Sequence, residues 1–352
     1  MLDSTIIRQD ADSICQGFSP VQLEGKTILI TGASGIVGTY FLECLHHLSA
    51  VQKMNFQVLA VMKNEPPAHL LECLSLPNIH ILRGDLADSE FYPHLPDSDF
   101  IVHAAGYGQP GAFLQNPKAT IQLNTTATAA LLDKVKKNGK FLFISSSEVY
   151  SGLRNPPHKE TEIGLTNTDH PRSCYIEGKR CGEAICNAYR TTGVDAKSAR
   201  LCLAYGPGTR PADRRALNSF IEKALKERHI RLMDAGQARR TYCYIADAVS
   251  IMWRILLDGK ESIYNVGGIS SVTIAELAQQ IGAALDVSVT MPEKSETLQG
   301  APEDVRLDMD KFQQEFGPLS FISLNEGLKR TINWQSQLYD LPSAFQRIEF
   351  TV

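Results

Sequence analysis

The chain has 352 residues, 43% of them hydrophobic, with a formal net charge of −4, enough apolar material for one large domain or two closely joined ones. The charge balance lacks the basic footprint of a nucleic-acid binder, and no run of ~18 apolar residues or apolar leader marks a membrane or secreted protein. The eight cysteines are scattered without a Cys-x-x-Cys pair, so they read as reduced core thiols of a cytoplasmic protein.

Residues 1–24 have mixed polarity and read as an N-terminal arm or short helix. Residues 27–31 are a β-branched run typical of a buried strand, followed by Gly32-Ala-Ser-Gly35-Ile-Val-Gly38 and a helix over 39–49. Further strands are predicted at 56–62, 79–83 and 99–103, the last running into Ala104-Ala105-Gly106. A helix is expected over about 116–137, with Lys134-Val-Lys136-Lys137 as its solvated end, and then a strand at 141–145. A helix at 173–189 and a strand at 196–203 follow, before Tyr205-Gly-Pro-Gly208 breaks the chain. The remainder is mixed, with helices at 216–228, 274–285 and 324–334 and a strand at 264–266. This alternation predicts an α/β fold: a Rossmann-type doubly wound parallel sheet over 25–200, with a smaller mixed α/β substrate-binding lobe built mainly from 201–352.

Glycines spaced Gly-x-x-Gly-x-x-Gly between a strand and a helix permit a tight turn and a close backbone approach to a pyrophosphate. Gly32, Ser34, Gly35, Ile36 and Gly38 are therefore the candidate cofactor loop, joined by Ala104 and Ala105. The second strand ends in Met62-Lys63-Asn64 where many such sites carry a ribose-binding carboxylate. Lys63 leaves both NAD and NADP open, and Asp85-Leu86 is placed to touch the adenine. Tyr175 and Lys179 stand four apart in a predicted helix and share one face. An ammonium beside a phenol stabilises the phenolate, which can then take a proton from an alcohol as hydride leaves the same carbon. No His-Glu-x-x-His or Gly-x-Ser-x-Gly motif is present, so neither a metal site nor a serine hydrolase is predicted.

These features, with Ser145-Ser-Ser-Glu148, Arg200-x-x-x-x-Tyr205-Gly-Pro207, Arg240-x-Tyr242-x-Tyr244-Ile-x-Asp247, Tyr264-Asn-Val-Gly-Gly268 and Ser323-Leu-x-Glu-Gly-Leu328, resemble the extended short-chain dehydrogenase/reductase family over about residues 25–335. That family comprises nucleotide-sugar epimerases, dehydratases and decarboxylases. The segment Arg172-Ser-Cys-Tyr-Ile-Glu-Gly-Lys-Arg180 looks most like its UDP-glucuronate decarboxylases. The resemblance implies Tyr175 as base, Lys179 as its tuner and nicotinamide-ribose ligand, and Ser146 on the sugar 4-hydroxyl. It implies Glu148 as the acid that simple 4-epimerases lack, with Ser147, Arg215, Arg240 and Arg306 on the substrate side.

Once C4 is a ketone, the same intermediate can lose CO2, eliminate water or invert at C5. Decarboxylation is the favoured outcome, with a 4,6-dehydratase and an epimerase as alternatives and an NADPH-dependent ketoreductase as a different class. The resemblance also implies a nucleotide-sugar substrate and a homodimer. Leu203 and Gly208 depart from the family pattern, which has asparagine and, in the decarboxylases, arginine there.

Overall fold

The computed structural model describes residues 3–211, 213–292 and 304–341. In chain order, β1 (Thr27–Thr31), β2 (Gln57–Met62), β3 (Ile79–Arg83), β4 (Ser98–His103), β5 (Val135–Ser146) and β6 (Asp195–Leu201) build the central sheet. The chain then leaves it for β7 (Leu203–Tyr205), β8 (His229–Arg231) and β9 (Arg239–Tyr244), and returns with β10 (Ile263–Val266). The seven strands are parallel and lie in the order β10-β6-β5-β4-β1-β2-β3. This is the predicted doubly wound sheet. The chain reverses direction of growth between β1 and β4, the crevice where open α/β sheets bind ligands beyond the carboxyl ends of their strands.

Successive strand residues face opposite sides, so a strand covered twice must be apolar throughout. Accordingly Ile28 and Ile30 join one core cluster while Leu29 joins the other, all three fully buried. The first face is covered by α1 (Thr5–Cys15) and α2 (Ile36–Ala50). Across it, α3 (Pro110–Gln115), α4 (Pro117–Asn124), α5 (Thr126–Leu132) and α6 (Ser173–Thr191) lie on the opposite side of the chain crossing, with Leu123, Leu131 and Cys186 in the second cluster. The remaining helices are α7 (Ala216–Glu227), α8 (Ile245–Asp258), α9 (Ile274–Leu285), α10 (Asp310–Phe316) and α11 (Leu324–Leu338). Of these α8 joins the first face, where Trp253 packs on Phe18 and Phe41 with ring centroids 5.1 and 4.7 Å apart.

The smaller lobe centres on β9, flanked by β7, by β11 (Ser270–Thr273) and by β13 (Asp304–Val305), while β8 pairs with β12 (Ser288–Thr290). Residues 1–24, expected as an arm or short helix, supply α1, whose Ile7, Ala11 and Ile14 are buried. Asp10 is buried with them and accepts hydrogen bonds from Tyr40 (3.0 Å), Tyr244 (2.6 Å) and Arg330 (2.7 Å).

The helix expected over 116–137 is corrected in two places. Thr125, at φ −119° and ψ −77°, separates α4 from α5, and α5 ends at Leu132. β-branched Thr125, Thr126 and Thr128 weaken the helix there. Lys136 and Lys137 then belong to β5, not to a helix end, and the Lys136 ammonium donates to Asp99 on β4 at 3.0 Å. No helix among the described residues is long and apolar enough to cross a membrane, and no cluster of three metal-ligating side chains occurs among them.

Candidate active site

The glycine loop follows β1 directly. Gly32 has φ +63°, and a Cβ there would stand 2.6 Å from the Ala104 carbonyl oxygen; at Gly38 it would stand 2.4 Å from the Gly32 oxygen. Both positions therefore require glycine, whereas at Gly35 the nearest atom would be 3.2 Å away. Gly35 caps α2 without a side-chain hydrogen bond, so the first N–H groups of that helix are presented to an anion. Behind the loop, Thr31 Oγ1 donates to His103 Nδ1 (2.8 Å) and accepts from the Ala105 N–H (3.2 Å), while His103 Nε2 donates to the Leu123 carbonyl (2.9 Å). Burial holds that imidazole neutral, its pKa pushed down to about 3. The network ties Ala104 and Ala105 to the end of β1, which is the cradle a dinucleotide needs.

Lys63 and Asp85 are brought together at 2.7 Å, and Arg83 pairs with Glu65 nearby. The lysine at the end of β2 is thus already matched by a carboxylate. Leu86 beside them is buried.

On α6, Lys179 lies one turn beyond Tyr175, its ammonium 5.8 Å from the centre of the phenol ring. It donates to the Ile144 carbonyl at 2.6 Å. Burial pushes Lys179 down to about 7, and the nearby Glu183 charge opposes that fall. Burial likewise raises the Tyr175 phenol, which a hydrogen bond from Ser146 pulls back down. Phe113 of α3 stacks on the Tyr175 ring at 4.7 Å and 12°.

Ser146 ends β5 and its hydroxyl accepts the Glu148 N–H at 3.2 Å, capping the tight turn over residues 147–150. Ser147 opens that turn and is buried. The turn presents Glu148, whose carboxylate accepts a hydrogen bond from Arg172 at 2.5 Å and one from Ser151 at 3.4 Å. Arg172 and Arg215 both lie within electrostatic range of Tyr175, and Glu148 and Arg172 within range of Arg240. These side chains surround one region at the carboxyl end of the sheet. Arg215 is also held by Asp213 at 2.6 Å and by the Ala204 carbonyl at 3.1 Å. Arg306 is bound to Asp304 at 3.0 Å and reaches the Pro156 carbonyl at 3.4 Å, and Asp304 lies within electrostatic range of Arg240.

Three features escape the sequence reading. Glu183 follows Lys179 by four residues, a spacing that could have revealed it, and binds Arg200 (2.8 Å) and Ser145 (2.5 Å) in the buried layer beneath the tyrosine. Arg172 precedes Tyr175 by three but carries no motif that announces its bond to Glu148. Phe113 has no sequence signal at all.

With this geometry in place, comparison with known proteins decides the family. The model of the NAD dependent epimerase/dehydratase family matches residues 28–267. The chain belongs to that family. It is 30% identical to UDP-glucuronic acid decarboxylase 1 of Arabidopsis thaliana over 87% of this chain and 69% of that protein. Against UDP-glucuronic acid decarboxylase 1 of Danio rerio the identity is 29%, over 94% and 78% of the two chains. In fold it is similar to a dTDP-glucose 4,6-dehydratase from Streptomyces venezuelae with NAD bound, with a TM-score of 0.76, 24% identity and coverage of 88% and 97%. A UDP-glucuronic acid 4-epimerase from Bacillus cereus gives a TM-score of 0.75 at 22% identity, covering 89% and 100%. The protein is an extended short-chain dehydrogenase/reductase enzyme, and its cofactor is NAD.

Proposed function

We propose that this enzyme decarboxylates a UDP-uronate, UDP-glucuronate foremost, through a transient 4-keto sugar. The observation that carries the reading is Glu148, held by Arg172 at 2.5 Å beside the Ser146–Tyr175–Lys179 group. The names of the relatives at about 30% identity support the same substrate.

Ser146 orients the sugar 4-hydroxyl and Tyr175 Oη takes its proton. Lys179 and the Ser146 hydroxyl stabilise the phenolate that acts as base. NAD, when bound against the Gly32–Gly38 loop, supplies the hydride acceptor at C4 and later returns the hydride. Oxidation makes the C6 carboxylate a β-keto acid, so the C5–C6 bond breaks, its electron pair passes into the C4 enolate and CO2 leaves. C5 then takes a proton from water, and Tyr175 returns its proton to O4 as the ketone is reduced.

A 4,6-dehydratase needs a base strong enough to remove the C5 proton. Glu148 is instead held in an ion pair with Arg172, and the relatives' names favour loss of CO2 over elimination. Mass spectrometry of products from a nucleotide-sugar panel tests this. A product lighter by CO2 from UDP-glucuronate is expected; one lighter by water makes the enzyme a dehydratase, and an isomer of unchanged mass an epimerase. Tyr175→Phe is expected to lower turnover by ~10³-fold or more while NAD stays bound, and full activity in that variant would remove the mechanism.

We also infer a cytoplasmic homodimer. The cysteines described are all free, which suits a reducing compartment, and α4 and α6, the helices that pair in the resembling family, carry exposed Ile121 on that side. Light scattering at a monomer mass would remove the dimer.

A further inference from the structure

The adenosine ribose of a bound dinucleotide lies past the second strand of the sheet. A carboxylate there accepts its 2′-hydroxyl, whereas a cation accepts the 2′-phosphate of NADP. In this chain β2 ends in Met62, followed by Lys63 and Asn64, so no carboxylate stands directly at its end. Lys63 alone would suit a phosphate. The neighbouring strand supplies the missing acid. Met62 lies opposite Arg83 in the register of β2 against β3, and the Gly84 N–H donates to the Met62 carbonyl at 3.2 Å. The two segments therefore leave the sheet side by side, and Asp85 Oδ2 reaches Lys63 Nζ at 2.7 Å. The glycine loop shares this edge, because the Ala33 N–H donates to the Val61 carbonyl at 3.3 Å.

The carboxylate is the fixed member of the pair. Its Oδ1 accepts the Ala87 N–H at 3.0 Å, while Oδ2 takes the ammonium, which rides on a flexible four-carbon stem. The second cation of this edge, Arg83, has both terminal nitrogens on Glu65. Each cation is thus matched by a carboxylate. The side chains of Lys63 and Asp85 are 54% and 36% exposed, so a ligand can reach both. A ribose hydroxyl suits such a pair, since it can donate to the carboxylate and accept from the ammonium. A 2′-phosphate, carrying a charge of about −1.5 to −2, meets Asp85 as a like charge and finds Lys63 already engaged.

We propose that Asp85 is the residue that restricts this enzyme to NAD, by holding the Lys63 ammonium that would otherwise bind the 2′-phosphate of NADP. The carboxylate that selects the cofactor then comes from the end of β3 and not from β2. The proposal concerns the cofactor alone and is independent of which sugar is transformed.

The test is competition between the two nucleotides. The purified enzyme is held with equimolar NAD and NADP until the bound ratio is constant, separated from free nucleotide and denatured, and the released nucleotides are quantified by mass spectrometry. The parent is expected to hold NAD over NADP by at least about 10-fold. Asp85→Asn keeps the shape of the side chain and frees Lys63. It should raise NADP relative to NAD by about 10- to 100-fold, the range of a hydrogen bond between charged groups, and added salt should reduce that gain. The readout is the ratio, so a loss of affinity common to both nucleotides does not enter it. Adding Lys63→Met should cancel the gain. Melting temperatures verify that the variants are folded.

An unchanged ratio in Asp85→Asn would overturn the proposal. A gain that survives Lys63→Met would assign the phosphate to another cation and overturn it as well. A parent that takes NADP as readily as NAD would show that the ion pair does not select. Glu65→Gln is the control for net charge, because it frees Arg83 on the same edge but removes a carboxylate that is 80% exposed and well screened. It should leave the ratio within about threefold of the parent. A gain as large as that of Asp85→Asn would mean that the charge of the edge, and not the Lys63–Asp85 contact, sets the choice.

Discussion

Two arginine–carboxylate pairs lie on either side of the end of β5, and they differ in how completely they are satisfied. Glu183 and Arg200 are 5% and 3% exposed. Arg200 bonds Glu183 through Nε and Nη2, and Tyr150, Glu160 and Glu162 through Nη1, while Ser145 donates to the same carboxylate. Glu148 and Arg172 are 19% and 17% exposed and joined by a single nitrogen. The first pair has no capacity left for a ligand and fixes β5, α6 and β6 to one another. The second leaves the Arg172 Nε without a partner.

The largest effect expected from this contrast is on stability. Arg200→Met leaves Glu183 charged, buried and without its cation, which costs about 3–5 kcal/mol. Thermal melts should show a large fall in Tm, and replacing both partners by apolar residues should recover most of it. A small fall in the single variant would mean that Ser145 alone can hold the carboxylate. Glu148→Gln ranks next and should act on rate instead. Turnover is expected to fall about 100-fold with Tm and NAD content unchanged, measured as CO2 release against thermal melts of the same preparation. A Tm loss as large as that of Arg200→Met would erase the distinction between the two pairs.

How much of this was legible in the sequence depends on the span of each interaction. The glycine loop and the Tyr175–Lys179 spacing are local, set by a turn and by one helical repeat, and the structure places them around the same sheet end. The parallel sheet was equally legible, because β1 is apolar on both faces. The contacts that were missed join residues far apart in the chain: Arg172 with Glu148, Phe113 with Tyr175, Arg200 with Glu183. The register of β5 against β6 sets Ser145 opposite Arg200, the packing of α3 and the turn after β5 against α6 sets the other two, and no spacing rule encodes any of them. Arg306 was grouped with the pocket arginines by its motif alone, and the contact it makes is a local one with Asp304 two residues earlier.

A third buried carboxylate extends the comparison to its limit. Glu43, on α2, is 2% exposed and its Oε2 has no hydrogen-bond partner; His46 lies 3.8 Å away but does not bond it. With no guanidinium in contact, burial lifts its pKa from 4.5 to about 7. It thus accommodates its lack of a partner by keeping its proton. The sign follows directly. Between pH 4.5 and about 7 the folded chain holds a proton on Glu43 that the unfolded chain has released, so this residue's contribution to stability is full below that window and is lost as pH rises through it. Glu43→Gln removes the titration but keeps the shape. The stability of the variant relative to the parent should therefore rise from pH 4.5 to 7.5, by on the order of 3 kcal/mol, read from denaturant unfolding at both values. A pH-independent difference at Glu43 would mean that Arg8 compensates its charge in solution, and the three carboxylates would then no longer form a series from fully paired to unpaired.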